Sequence, residues 1–140
     1  MAIIRLLDRQ LYDQMPDAYA VLFEMAVKRS KRSAPEPDIS IVHASAVEDD
    51  KSIYLPADVL VAAEIISPES EERDREDKPL LYAAMGIPTF WLIERGPDGA
   101  PMVHEHQLYG GAYRLMKTHV GRMKTEIPFS MDVRLGPPRA

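Results

Sequence analysis

The chain has 140 residues, a formal net charge of −5 and no cysteine. The length suits one domain over residues 1–140, and the lack of cysteine excludes disulfide frameworks, thiolate metal sites and cysteine nucleophiles. No apolar run approaches the roughly 20 residues of a membrane helix, and the N-terminus lacks the features of a signal peptide. We therefore expect a cytoplasmic protein with no membrane partner. The acidic balance argues weakly against broad nonspecific binding to nucleic acid.

The first predicted element is an amphipathic helix. Ile3, Leu7 and Leu11 recur at four-residue spacing, which places them on one helical face. The apolar period then changes to two, and this alternation predicts one strand over residues 20–28. The basic sequence KRSKRS at residues 28–33 predicts a turn. Such a turn either binds a phosphate backbone or only keeps a loop soluble, and the acidic net charge slightly favours the second interpretation.

Two strands and a helix follow the basic turn. Residues 38–43 predict a short strand, and residues 58–66 are apolar on both faces, which is typical of a central strand. A helix is expected from Ser67, as the N-terminal cap, to about Met85. Pro79 predicts a kink or a restart in that helix, because proline removes a main-chain hydrogen bond.

The remainder of the chain predicts strands joined by tight turns. Residues 89–94 form a second buried strand, and residues 102–108 and 113–119 are joined by a Gly-Gly hairpin turn. A final stretch bounded by prolines reaches Leu135. This order of helices and strands predicts an α/β (α+β) sandwich around one mixed sheet.

Glu64 is the most unusual residue of the sequence, since it is an acid within an apolar strand. Alternation places Leu60, Ala62 and Glu64 on one face of that strand. A charge there is costly unless it is paired or bound to a metal. Asp38 begins the other short strand, and it would bring a second carboxylate beside Glu64.

A stripe on the predicted helix adds further polar groups. Asp74, Lys78 and Tyr82 recur at four-residue spacing, so one helical face carries an acid, a cation and a phenol. Two carboxylates, a lysine and a hard cation such as Mg²⁺ are the components of a phosphodiester-cleaving site. The metal lowers the pKa of a bound water, and the lysine stabilises developing negative charge.

Five motifs occur in a specific order along the chain. They are PEPDISIV at 35–42, LPADVLVAAEIISPES at 55–70, DREDKP at 74–79, YA at 82–83 and GIPTFW at 86–91. Together they resemble the Uma family, bacterial proteins described as restriction endonucleases within the PD-(D/E)XK nuclease superfamily. The resemblance extends from about residue 3 to residue 135, and it is strongest over residues 35–94.

This resemblance implies a restriction-endonuclease-like core, a mixed β-sheet flanked by helices, that binds Mg²⁺ or Mn²⁺ and cleaves DNA. Asp38 matches the Asp of the PD element and Glu64 matches the acid of the (D/E)XK element, so both are expected metal ligands. Ile66 stands where the superfamily has its lysine, and Lys78 on the next helix is the matching residue. The resemblance also implies supporting roles for Asp74, Tyr82 and Ser67.

The N-terminus departs from the family pattern. Family members usually carry a hairpin and an acidic residue before the first helix, and this chain lacks both, so either Glu24 or no residue replaces that acid. An N-terminal helix without a preceding strand leaves surface to be covered, which predicts a homodimer.

Other interpretations of the same residues stay open. Asp38 after a proline is also a common turn residue, and a buried ion pair between Glu64 and Lys78 needs no metal. The missing hairpin, the acidic charge and the absent in-motif lysine favour a second hypothesis, a catalytically inactive nuclease-fold binding or assembly module. A third hypothesis is a transition-metal site at His104 and His106, although no third ligand is evident.

Overall fold

The structure, a computed structural model, describes residues 2–66 and 71–136, with the side chains of residues 71–74 excepted. It contains two helices, ten strands and two short 3-10 turns among these residues. In chain order the helices and strands are α1 (Ala2–Gln14), β1 (Tyr19–Phe23), β2 (Ala26–Val27), β3 (Ile39–His43), β4 (Ile53–Tyr54), β5 (Val59–Ile65), α2 (Glu71–Ala84), β6 (Thr89–Arg95), β7 (Pro101–Tyr109), β8 (Ala112–Val120), β9 (Arg122–Thr125) and β10 (Met131–Arg134).

A six-stranded mixed sheet forms the centre of the fold. Its strand order is β1–β3–β5–β6–β7–β8, in which β5 and β6 are parallel and all other neighbours are antiparallel. Parallel neighbours need a crossover connection, and α2 supplies it between β5 and β6. The mixed α+β architecture predicted from the sequence is confirmed.

Each face of this sheet is covered by its own layer. On one face, α1 and the β9–β10 hairpin pack on the sheet, and α1 buries the predicted stripe of Ile3, Leu7 and Leu11. On the other face, α2 and the β2–β4 pair enclose a second core that includes Tyr82 and Phe90. The strands β5 and β6 are buried on both sides, as their apolar sequences predict.

Two glutamines of α1 complete the outer edge of β10. The amide of Gln10 donates to the carbonyl of Arg134 at 2.9 Å and accepts from the Arg134 N–H at 2.8 Å. Gln14 makes the equivalent pair with the main chain of Asp132, at 2.8 and 2.7 Å. Since successive outward-facing main-chain groups of a strand are two residues apart, the helix satisfies the groups that a neighbouring strand would otherwise pair.

The predicted single strand over residues 20–28 is wrong. The strand β1 ends at Phe23, and the chain turns at Glu24, whose φ of 53° lies in the left-handed region. The next two residues form β2, which pairs with β4 in a separate small sheet. The alternating apolar pattern therefore continues through a break in the main chain that the pattern does not reveal.

Alternation along β5 is interrupted at Leu60. Ile41 and Val42 of β3 pair with Val61 and Val59, so that Leu60 has no partner on β3 and forms a bulge. Leu60 therefore packs toward the α1 layer, and the prediction that it shares a face with Ala62 and Glu64 is wrong.

The remaining differences concern the ends of elements. The helix α2 continues without a restart across Pro79, and the expected cap Ser67 lies outside the described residues. The sequence did not predict β4 and β9, which are strands of two and four residues. Among the described residues, no helix is long and apolar enough to cross a membrane.

Candidate active site

The antiparallel pairing of β3 with β5 brings Asp38 and Glu64 together. Asp38 immediately precedes β3, and Ile39 pairs with Ala63, so Asp38 lies beside the end of β5. Its Oδ2 accepts a hydrogen bond from the main-chain N–H of Ile65 at 2.7 Å. This bond fixes the orientation of the Asp38 carboxylate toward the residue that precedes Ile65, which is Glu64.

The helix α2 supplies two contacts to Glu64. The hydroxyl of Tyr82 donates to Glu64 Oε1 at 2.5 Å, and Lys78 Nζ lies 3.6 Å from the same oxygen. Lys78 and Tyr82 are four residues apart, so they lie one above the other on the helical face turned toward the sheet. Tyr82 is fully buried, whereas the side chain of Lys78 is one quarter exposed.

Burial dominates the electrostatics of Glu64, which is only 5% exposed. Desolvation is the largest of the effects that raise its pKa from 4.5 to about 7, and the charge and hydrogen bonding of Asp38 act in the same direction. The hydrogen bond from Tyr82 and the charge of Lys78 oppose this rise. With a pKa of about 7, Glu64 carries its negative charge near neutral pH only at a free-energy cost, which a bound cation would offset.

The chemistry of these donors fits a hard divalent cation. Mg²⁺ prefers oxygen ligands and is commonly held by one or two carboxylates while it keeps several waters. Asp38 and Glu64 supply two such carboxylates, which lie beside each other at the end of β5. Within residues 2–66 and the described side chains of 75–136, no group of three His, Cys, Asp or Glu side chains gathers as a metal site.

A second polar network lies on the same face of the sheet and was missed by the sequence analysis. Arg75 of α2 forms an ion pair with Glu94 of β6. Glu94 also contacts His104 Nε2 at 3.1 Å, and His104 Nδ1 lies 2.8 Å from Thr118 Oγ1. The available signal was strand alternation, because Glu94 lies two residues after Leu92, the direct partner of Glu64.

The other predicted site residues fall in different places. Glu24 donates its main-chain N–H to the carbonyl of Asp38 at 3.2 Å, while its own side chain is exposed. Ser67 lies outside the described residues, and the side chain of Asp74 does also. His104 and His106 share a face, but the Nδ1 of His106 contacts the carbonyl of His104, and its ring packs against a phenylalanine.

Comparison with known proteins agrees with this architecture. One solved structure, from Anabaena variabilis ATCC 29413, is described as "a putative nuclease belonging to DUF820". It matches with a TM-score of 0.56 and 18% sequence identity, over 83% of this chain and 60% of that chain. This chain thus spans about three fifths of the length of that structure, and the likeness shows a shared fold. No curated protein matches.

A family model gives the assignment. The model of the Uma2 family, described as "Putative restriction endonuclease", matches residues 2–132, which is nearly the whole chain. The matched region includes both carboxylates, Lys78 and Tyr82, and the resemblance found in the sequence motifs is confirmed. The chain belongs to the Uma2 family.

Proposed function

We propose that this protein is a Mg²⁺-dependent endonuclease that hydrolyses phosphodiester bonds of DNA, with Asp38, Glu64 and Lys78 as the catalytic residues. The observation that carries the proposal is the convergence of two carboxylates and a lysine at the end of β5 in a chain of a nuclease family. The proposal extends the family assignment to a metal, a substrate and specific residues.

Each residue of the candidate active site has a different proposed role in this reaction. The metal, when bound, would lower the pKa of an attacking water and neutralise charge on the phosphate. Asp38 and Glu64 would hold it, with Asp38 oriented by the N–H of Ile65. Lys78 is partly exposed beside Glu64, where its ammonium group can position the water or stabilise developing negative charge. Tyr82 holds Glu64 in place from the buried side.

Plasmid cleavage with purified protein in Mg²⁺ or Mn²⁺ tests the proposal. We expect Glu64→Gln and Lys78→Met to lower the rate by about 100-fold or more, because each removes a charge from the reacting centre. Glu76→Gln is the matched control, since Glu76 is an exposed acid on the same helix. Cleavage that is unchanged in both site variants would overturn the assignment.

One observation favours the inactive binding or assembly module as a second candidate. Ile66, and no cation, occupies the position two residues after Glu64, and Lys78 contacts Glu64 as it would in a metal-free ion pair. Calorimetric titration with Mg²⁺ or Mn²⁺ distinguishes the candidates. The nuclease binds metal and loses that binding in Asp38→Asn, whereas the inactive module shows no carboxylate-dependent binding.

We also propose that the protein acts in the cytoplasm as a homodimer. The chain contains no cysteine, which fits a reducing compartment. The strand β8 is an edge of the large sheet, and most of its side chains are exposed, including Leu115 and Val120. Light scattering at increasing protein concentration tests the dimer, and a mass of one chain throughout would contradict it.

A further inference from the structure

We propose that the basic hairpin, residues 28–33, is the segment that binds the phosphate backbone of duplex DNA next to the scissile bond. This inference rests on the proposed function and adds to it the surface that holds the substrate. The basic hairpin carries Lys28, Arg29, Lys31 and Arg32, four of the 17 basic residues of a chain whose net charge is −5.

The main chain joins the basic hairpin directly to the candidate active site. The segment leaves the large sheet after Phe23 and returns to it at Ile39, and these two residues are paired. The next pair outward is Glu24 and Asp38, whose main chains are hydrogen-bonded at 3.2 Å. Asp38 is therefore a proposed metal ligand, and it also belongs to the first residue pair beyond the sheet, from which the chain extends into the basic hairpin.

The base of the basic hairpin is anchored by main-chain hydrogen bonds to other segments of the chain. Val27 donates its N–H to the carbonyl of Pro35 at 2.9 Å, and Lys28 donates to the carbonyl of Tyr54 at 2.8 Å. Val27 and Tyr54 belong to the core on the α2 face, which is the face that carries Glu64 and Lys78. The basic hairpin consequently starts from a fixed position on the active-site side of the sheet.

The four basic side chains are available to a ligand. All four are exposed, and none of them forms an ion pair within the part of the chain that the structure describes. The closing contacts of the turn come from main-chain groups of Arg29, Ser30 and Ser33. Four unpaired cations within six residues concentrate positive charge at one place on the surface, and phosphates are natural partners for such a group.

The geometry limits where these contacts fall on the substrate. Lys31 is seven residues from Asp38, so an extended chain would separate them by at most about 25 Å. At 3.4 Å per base pair, that distance corresponds to about seven base pairs. The basic hairpin therefore reaches phosphates that flank the cleaved bond on one side, within less than one turn of the duplex.

Fluorescence anisotropy with a labelled DNA duplex, measured without divalent metal between 50 and 200 mM KCl, tests this inference. The test variant replaces Lys28, Arg29, Lys31 and Arg32 with glutamine. The matched control replaces four exposed cations of the opposite layer, which changes the net charge by the same amount. These control positions are Arg5, Arg9, Lys124 and Arg134.

Loss of four phosphate contacts lowers the salt slope of log K by about 3.6. The affinity advantage of the wild-type protein over the test variant should accordingly shrink by ~150-fold between 50 and 200 mM salt. The control should bind with nearly wild-type affinity and slope. Equal affinities and slopes for the test variant and the control would overturn the inference.

Cleavage measurements keep this outcome separate from the proposed function. Hydrolysis of a small phosphodiester, bis(p-nitrophenyl) phosphate, does not need contacts with flanking phosphates, so the test variant should retain it while it loses plasmid cleavage. Suppose that the wild-type protein cleaves DNA, that Glu64→Gln abolishes this cleavage, and that the test variant binds and cleaves DNA like the wild type. That result contradicts this inference but not the proposed function. A wild-type protein that binds DNA through the basic hairpin but never cleaves it contradicts the proposed nuclease alone.

Discussion

At the scale of single residues, Glu64 of the candidate active site is a buried acid whose ionisation lowers the free energy of unfolding. A carboxylic acid whose pKa is higher in the native state than in the unfolded chain stabilises the fold while it is protonated. For Glu64 the pKa rises from 4.5 to about 7, chiefly through burial. Between these values the native protein binds more protons than the unfolded chain, so the free energy of unfolding decreases as the pH rises.

The variant Glu64→Gln should remove this pH dependence. In metal-free buffer the wild-type protein is expected to lose about 3 kcal/mol through Glu64 between pH 4.5 and pH 7, since one pKa unit is worth about 1.4 kcal/mol. The variant should be more stable than the wild type at pH 8 and differ little from it at pH 4.5. Urea unfolding at the two pH values measures this, with Glu76→Gln as the exposed control. A variant less stable than the wild type at pH 8 would contradict the prediction.

Tyr82→Phe should raise the pKa of Glu64 still further. The hydroxyl of Tyr82 donates to the carboxylate and lowers its pKa, and the substitution removes only that oxygen from a fully buried ring. Carboxyl chemical shifts followed by NMR through a pH titration report the change. Tyr12→Phe, at a residue that is 75% exposed, should leave the Glu64 titration where it is.

The sequence identified this cluster because its members follow simple periodicities. Glu64 stands out as an acid in an apolar strand, and Lys78 and Tyr82 are one helical turn apart. Nothing in the spacing of Arg75 and Glu94 joins them, because their contact depends on how α2 crosses β6. Contacts between elements that are set by tertiary packing lie beyond what periodicity predicts.

At the scale of elements, a buried polar cluster fastens the β9–β10 hairpin to the large sheet. Glu105 of β7 contacts His119 Nε2 of β8 at 2.7 Å and accepts a hydrogen bond from the Thr125 hydroxyl of β9 at 2.8 Å. Glu105 is 5% exposed and His119 is 2% exposed. One carboxyl group thus joins three strands from the α1 side of the sheet, away from the candidate active site.

Glu105→Ala should destabilise the protein by about 3 kcal/mol, because it leaves buried polar partners without their acceptor. The free energy of unfolding in urea measures the loss. Lys117→Ala is the neighbouring control, since Lys117 is the exposed β8 residue paired with Glu105, and it should change stability by less than about 0.5 kcal/mol. Equal effects from the two substitutions would show that Glu105 does not hold the three strands together.

The two glutamines of α1 form the same pair of hydrogen bonds with the main chain of β10, but their side chains differ in solvent exposure. Gln10 is 8% exposed and Gln14 is exposed, yet each makes two hydrogen bonds with β10. Gln10→Met should cost about 2 kcal/mol, because main-chain groups of Arg134 lose partners that water cannot easily replace. Gln14→Met should cost less than half as much. Thermal or urea unfolding of the pair measures the difference.

The element pattern was predicted from the sequence except where the main chain interrupts it. Helix α1 and the strands β3, β5, β6, β7 and β8 follow from their apolar periods and turn residues. The break at Glu24 and the bulge at Leu60 do not, because apolar side chains continue through both. The break at Glu24 matters for the proposed DNA contact, because the chain leaves the large sheet there, beside Asp38, and continues into the basic hairpin.

At the scale of the whole molecule, metal binding and folding stability should be linked. A ligand that binds only the native state adds RT ln(1 + [L]/Kd) to the free energy of unfolding, which is about 2.7 kcal/mol at 100 times Kd. Saturating Mn²⁺ should therefore raise the thermal midpoint of the wild-type protein. The variants Asp38→Asn and Glu64→Gln should show no such rise, and a similar rise in both would place the metal elsewhere.

The contacts between α1 and β10 join residues that are far apart in the sequence. Gln10 bonds to a residue 124 positions later, and Gln14 to one 118 positions later. During synthesis the apolar stripe of α1 lacks the cover of the β9–β10 hairpin until residues 122–134 have been added. A chain interrupted before residue 122 leaves that stripe partly uncovered, so chaperones and proteases should recognise it more readily than a chain that contains β9 and β10.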